Sequence, residues 1–145
     1  NNGFGTPRRD CGTFGGGVWI GRGSAMVTNC LVRDNFAWAC GGGICVGTGA
    51  AAEIVGCTVE GNSSTDFFGH QGGIGIAEGS SARIVNTTVK GNTGDQLGAF
   101  GAPYNRGTSA EVINCDIADG FDPHGIENFT VTPRTSSAPI GYRAP

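Results

Sequence analysis

One eleven-residue phrase is written four times in this chain, and that repetition constrains the fold more than any other feature. "AMVTNCLVRDN" runs from Ala25 to Asn35, "AEIVGCTVEGN" from Ala52 to Asn62, "ARIVNTTVKGN" from Ala82 to Asn92 and "AEVINCDIADG" from Ala110 to Gly120. The second and third copies share seven of eleven letters. A companion phrase precedes three of the copies: "GGGVWIG" at 15–21, "GGGICVG" at 41–47 and "GGIGIAEG" at 72–79. The period is 26 to 30 residues. Such a period marks a solenoid, a propeller or a related array, in which each unit buries its apolar side only against its neighbours.

Inside the unit there is no helical period, only short strands between glycine and asparagine turns. In the companion phrase Val18 and Ile20, Ile44 and Val46, and Ile74 and Ile76 share one parity. They are expected inward, with Trp19, Cys45 and Gly75 outward. In the longer phrase Ile54 lies on one parity, and Cys57 and Val59 lie on the other. The phase changes at Gly56, whose counterparts are Asn29, Asn86 and Asn114. Glycine and asparagine tolerate a left-handed backbone. One such residue bends the strand while both halves keep their apolar side inward, so the chain coils around a core instead of folding back as hairpins.

Stacking the copies gives the expected columns. Ala25, Ala52, Ala82 and Ala110 point inward, as do Val27, Ile54, Ile84 and Val112, and Val32, Val59, Val89 and Ile117. Asn35, Asn62 and Asn92 read as an asparagine ladder at a corner. Outward, Arg33, Glu60 and Lys90 alternate in sign, and so do Glu53, Arg83 and Glu111. Opposite charges on neighbouring strands attract, and this supports the register. Val55, Val85 and Ile113 form an outward apolar stripe, expected to face a covering segment or an assembly partner.

The pattern "GGGI-V…A-I-N-C-T-V-GN" resembles the right-handed parallel β-helix, the architecture of the pectate-lyase-like superfamily and of many bacterial surface proteins. The resemblance covers about residues 12–130. It implies an all-β solenoid of about four to five short coils over residues 1–131, with an N-terminal segment 1–14 and coils at 15–131. Residues 132–145 read as an extended tail containing Pro, Ser and Thr. The fold hosts many activities and implies none of them. Its polysaccharide lyases and hydrolases use clustered carboxylates on stacked coils, often with calcium, plus a basic residue as proton acceptor. Here Arg83 separates Glu53 from Glu111, and Asp34 aligns with Gly61 and Gly91. Asp122 and His124 stand together in "FDPHG", which is also ordinary turn chemistry. No catalytic residue, metal set or cofactor is assigned, and an enzyme is the less favoured reading.

Charged residues are 14% of the chain and the net charge is −3, so neither a nucleic-acid partner nor an anionic membrane surface is expected. No apolar run reaches the roughly 20 residues of a membrane-spanning helix. Six cysteines, and sequons at Asn62, Asn86 and Asn128, point to an extracellular, glycosylated protein. The ladder and a glycan compete for Asn62. Cys30 and Cys57 share an inward position in adjacent coils, as a disulfide or as stacked thiols, and Cys11–Cys40 is the second expected bridge. The start at Asn1 reads as a mature or trimmed product.

The segments after the ladder asparagines vary in length and carry Trp38, Phe67, Phe68, His70, Asp95, Phe100 and Tyr104. They form either a carbohydrate-binding face or an apolar cluster under loops, the latter preferred. Thr28, Thr58 and Thr88 do not make the regular column an ice-binding face would need. A solenoid without caps exposes strand edges at both ends. The expected function is therefore an extracellular β-helix subunit that associates with itself, end to end, into a filament or surface layer. The alternatives are a carbohydrate-binding adhesin fragment and a polysaccharide-cleaving enzyme.

Overall fold

A computed structural model describes residues 16–38, 41–64, 71–100, 107–118, 121–122 and 126–132. The first coil carries β1 (Val18–Ile20), β2 (Ser24–Thr28), β3 (Leu31–Arg33) and β4 (Phe36–Ala37). The second carries β5 (Ile44–Val46), β6 (Ala51–Val55), β7 (Thr58–Glu60) and β8 (Ser63–Ser64). The third holds β9 (Gln71–Ala77), β10 (Ser81–Val85) and β11 (Thr88–Lys90). The fourth holds β12 (Asp95–Phe100), β13 (Ser109–Ile113) and β14 (Asp116–Ile117), and β15 (Phe121–Asp122) and β16 (Asn128–Thr132) begin a fifth. All strand pairs are parallel. They stack as three sheets, β1-β5-β9-β12-β15, β2-β6-β10-β13-β16 and β3-β7-β11-β14, with β4 and β8 paired at a corner. This is the expected all-β parallel solenoid of four coils and part of a fifth.

Left-handed residues make the corners. Asn29, Gly56, Asn86 and Asn114 have φ of 52°, 64°, 50° and 52° between the second and third sheets, where the parity switch predicts a bend. A further left-handed column follows the third sheet: Asp34, Gly61 and Gly91 at 54°, 63° and 59°. Another precedes the second sheet: Gly23, Gly49, Gly79 and Gly107 at 77°, 69°, 68° and 73°. Three short strands joined by such bends close a coil around one core.

The inward columns fill that core. Ile44, Val46, Ile54, Val59, Ile74, Ile76, Ile84, Val89 and Leu97 have no measurable exposure. Burying a side chain of this size stabilises the fold by about 1.5–3 kcal/mol. The register is the predicted one, with Ala82 opposite Ala52 and Ala110, and Val89 opposite Val59 and Ile117. Two expectations change. Cys45 and Gly75 share the column of Trp19, as the outward reading has it, but are buried, as is every residue of β5 and β9. Asp95–Phe100, read as part of a variable loop, is the strand β12 beside β9. It lacks the Gly-Gly lead-in of the other coils, and Leu97 opposite Ile74 is its match to the core pattern.

Candidate functional site

The ladder corner shows how tightly the coils are bound. Asn62 Oδ1 accepts from the backbone N–H and from Nδ2 of Asn35, both at 3.0 Å. Asn62 Nδ2 donates to Val32 O at 3.0 Å and to Asn92 Oδ1 at 2.9 Å. Asn92 repeats the pattern one coil on, donating to Val59 O at 3.0 Å. The fourth copy of the phrase offers Gly120 at the next ladder position. There Gln96 takes over: its Oε1 accepts from Asn92 Nδ2 at 2.7 Å and from the Asn92 N–H at 3.1 Å. Asn62 is fully buried, with its amide spent on the ladder, so the glycan candidate at Asn62 is overturned. Asn86 and Asn128 are exposed. Asn86 Oδ1 accepts a hydrogen bond from Asn114 Nδ2 at the neighbouring corner.

The cysteines line an inward column of another kind. The Cys57 N–H donates to Thr87 Oγ1 at 3.2 Å, and the Thr87 N–H donates to Cys115 Sγ at 3.4 Å. The sulfurs lie near carbonyls of their own or the preceding coil: Cys57 Sγ near Val27 O at 3.3 Å, Cys115 Sγ near Ile84 O at 3.3 Å. Cysteine and threonine interchange here because each offers a small group that both donates and accepts. The expected Cys30–Cys57 bridge is not formed, and both are free thiols. Cys30 Sγ turns to Thr28 O at 3.1 Å instead. Cys11 and Cys40 lie outside the described residues, as do Phe67, Phe68, His70 and Tyr104.

The outward charge columns form as expected. Arg83 bonds Glu53 at 2.7 Å and Glu111 at 3.0 Å, and Lys90 lies 3.6 Å from Glu60. Arg33 instead pairs with Asp34 at 2.8 Å. Asp34 raises the guanidinium further above its ordinary value, first by the hydrogen bond and then by charge. Val55, Val85 and Ile113 align as a half-buried outward stripe. Thr58 and Thr88 are partners between Leu31 and Asp116, and Thr28 stands beside Val55. Of the expected binding face, Trp38 is 58% exposed and meets Phe36 edge to face at 5.9 Å. Asp95 sits half-buried opposite Gln71, and Phe100 stands on β12 opposite Ala77.

Among the described residues, the two outer strands of the second sheet are its most exposed. On β6 alternate residues are buried, whereas four of the five residues of β2 are exposed. Ala25, expected inward, keeps that register but is exposed, because among the described residues β2 is the terminal strand of its sheet. Among the described residues the large exposed apolar side chains are Trp19, Met26, Leu31, Phe36 and Trp38 on the first coil and Val131 on the last strand. A groove of about 440 Å³ lies along the β2 edge, lined by Ser24, Ala25, Met26, Ala51, Ala52, Glu53 and Arg83.

The backbone there has a defined polarity. The Asn29 N–H donates to Val55 O at 2.9 Å, and Gly23 O accepts from the Ala51 N–H at 2.8 Å. Successive peptide groups of a strand point to opposite sides, so those of Ser24, Met26 and Thr28 face away from β6. At the other end the Asn128 N–H donates to Thr108 O at 3.1 Å, and Thr132 O accepts from the Asn114 N–H at 2.9 Å. Val131, on the opposite parity, faces its peptide groups away from β13.

A family described as the right handed beta helix region matches residues 16–134. The chain therefore belongs to the right-handed β-helix family. Comparison with curated proteins and with solved structures returns no match.

Proposed function

We propose that this chain is a structural β-helix unit that joins end to end into a filament or layer outside the cell. The observation that carries this is the open second sheet. Its interior strands bury the columns Ala52, Ala82 and Ala110 and Ile54, Ile84 and Val112, while on the terminal strands β2 and β16 Ala25 and Val131 are exposed and Val27 and Phe129 are only half-buried against the core. An exposed parallel edge with apolar side chains beside it is a template for another strand. The carboxylates of Glu53 and Glu111 are both bonded to Arg83, an arrangement that suits cohesion between coils better than acid–base chemistry. Self-association is the proposed partnership, and glycans at the exposed Asn86 and Asn128 are part of the proposal.

Negative-stain electron microscopy across a concentration series tests it. Fibres are expected, with a diffraction repeat of about 4.8 Å along the axis. A monomer persisting at high concentration overturns the reading. A second reading, a carbohydrate-binding unit, is favoured by the exposed Phe36–Trp38 pair. Oligosaccharides that quench tryptophan fluorescence in wild type but not in Trp38→Ala would support it.

A further inference from the structure

We infer that the two ends join in a single register: β16 of one copy adds to β2 of the next, with Thr130 beside Met26 and Val131 beside Val27. This rests on the end-to-end reading above and specifies its joint. The first argument is hydrogen-bond parity. The groups of Val131 point out of the last strand, and those of Met26 and Thr28 point out of the first, as the bonded partners Asn128, Thr132, Gly23 and Asn29 require. With Val131 opposite Val27, its N–H meets Met26 O and its C=O meets the Thr28 N–H, which is the parallel pattern of the interior strands. A slip of one residue sets Val131 against groups already committed to β6, and it turns every side chain to the wrong face.

A slip of two residues restores parity but loses the core. In one direction Val131 lands on Asn29, a left-handed corner at φ 52°. In the other, Phe129 lands on Gly23, another corner at φ 77°. Only the unslipped joint continues the inward column Val131, Val112, Ile84, Ile54, Val27 across the boundary. It also places Phe129 over the small, exposed Ala25.

The outward column agrees. Across the joint it runs Glu111, Thr130, Met26, Glu53. Three strand spacings, about 14 Å, then separate the two glutamates. That exceeds the Debye length of about 8 Å at physiological salt, so like charges do not oppose the joint.

The test uses two single variants of the full chain in a Cys30→Ser background, Met26→Cys and Thr130→Cys, mixed in equal amounts and mildly oxidised. Both positions are exposed, so the core is left intact. Partners in adjacent parallel strands lie about 4.8 Å apart, within the Cα separation a disulfide accepts. The expected result is a covalent dimer of one variant with the other, lost on reduction. Neither variant alone, nor the Cys30→Ser chain, forms it. If fibres form but Met26→Cys links to itself, or to Asn128→Cys or Thr132→Cys in preference to Thr130→Cys, the register falls and the end-to-end reading stands. If sedimentation shows no assembly of the wild-type chain, both fall.

Discussion

Asn62 shows how one side chain ties three coils together. It accepts from Asn35 and donates to both Val32 and Asn92 with no solvent to substitute for any partner. An unsatisfied buried polar group costs about 1–3 kcal/mol. Asn62→Ala strands the Asn35 N–H, whereas the Val32 carbonyl loses a second donor but keeps its ladder partner on β7, so urea unfolding is expected to show a loss of about 1–3 kcal/mol by that rule. Asn35, half-buried at the open end of the ladder, is expected to cost less when truncated, and equal losses would contradict the ladder account. Gly43 is a second such point. A Cβ there would lie 2.6 Å from Val59 Cγ1 and 2.9 Å from Asn62 Nδ2, so Gly43→Ala displaces both the core and the ladder. At Gly49 a Cβ meets nothing within 4 Å, and only its φ of 69° opposes alanine. That alone costs about 1–2 kcal/mol. The melting temperature is therefore expected to fall further for Gly43→Ala than for Gly49→Ala.

At the scale of the strands, Arg83 is the hinge of the charge column. Its side chain is 48% exposed, so each ion pair contributes little, of the order of 0.2–1 kcal/mol. Arg83→Ala, which removes both pairs, is expected to cost about 0.4–2 kcal/mol. Arg83→Glu places three carboxylates on adjacent strands and is expected to cost more, by an excess that shrinks in 1 M salt, where the screening length is about 3 Å. An excess indifferent to salt would mean a steric cause. This column was legible in the sequence because outward charges on stacked strands declare their partners by sign. The corner at Gly56 was legible because apolar parity reverses there. The corners at Gly61 and Gly91 and at Gly49 and Gly79 were not, since in so glycine-rich a chain another glycine marks no position. Strand β12 was missed for the same physical reason in reverse. Without a double glycine its lead-in differs, and Gln96, the one signal that the ladder closes there, stands four residues beyond Asn92.

At the scale of the whole molecule, the repeat made the stacking of coils foreseeable, but not which of the described strands are the more exposed. That depends on where burial stops, at β2 and β16, and it is a property of the stack and not of any repeat. The same geometry supplies a test of assembly that leaves the fold alone. Proline lacks an N–H and is tolerated in a sheet only where that group would point away from the ladder. The Val131 N–H points away from β13, whereas Thr130 has the parity of Asn128, which donates to Thr108 O. Val131→Pro is therefore expected to keep the β-rich circular dichroism and nearly the wild-type melting temperature. It removes the one donor that the last strand offers from this residue and blocks approach of a neighbouring strand. Thr130→Pro breaks a bond to β13 and is expected to lower the melting temperature. If Val131→Pro assembles as the wild type does, by sedimentation over the same concentrations, the β16 edge is not the joint, and contact through the Val55, Val85 and Ile113 stripe becomes the better account of any association.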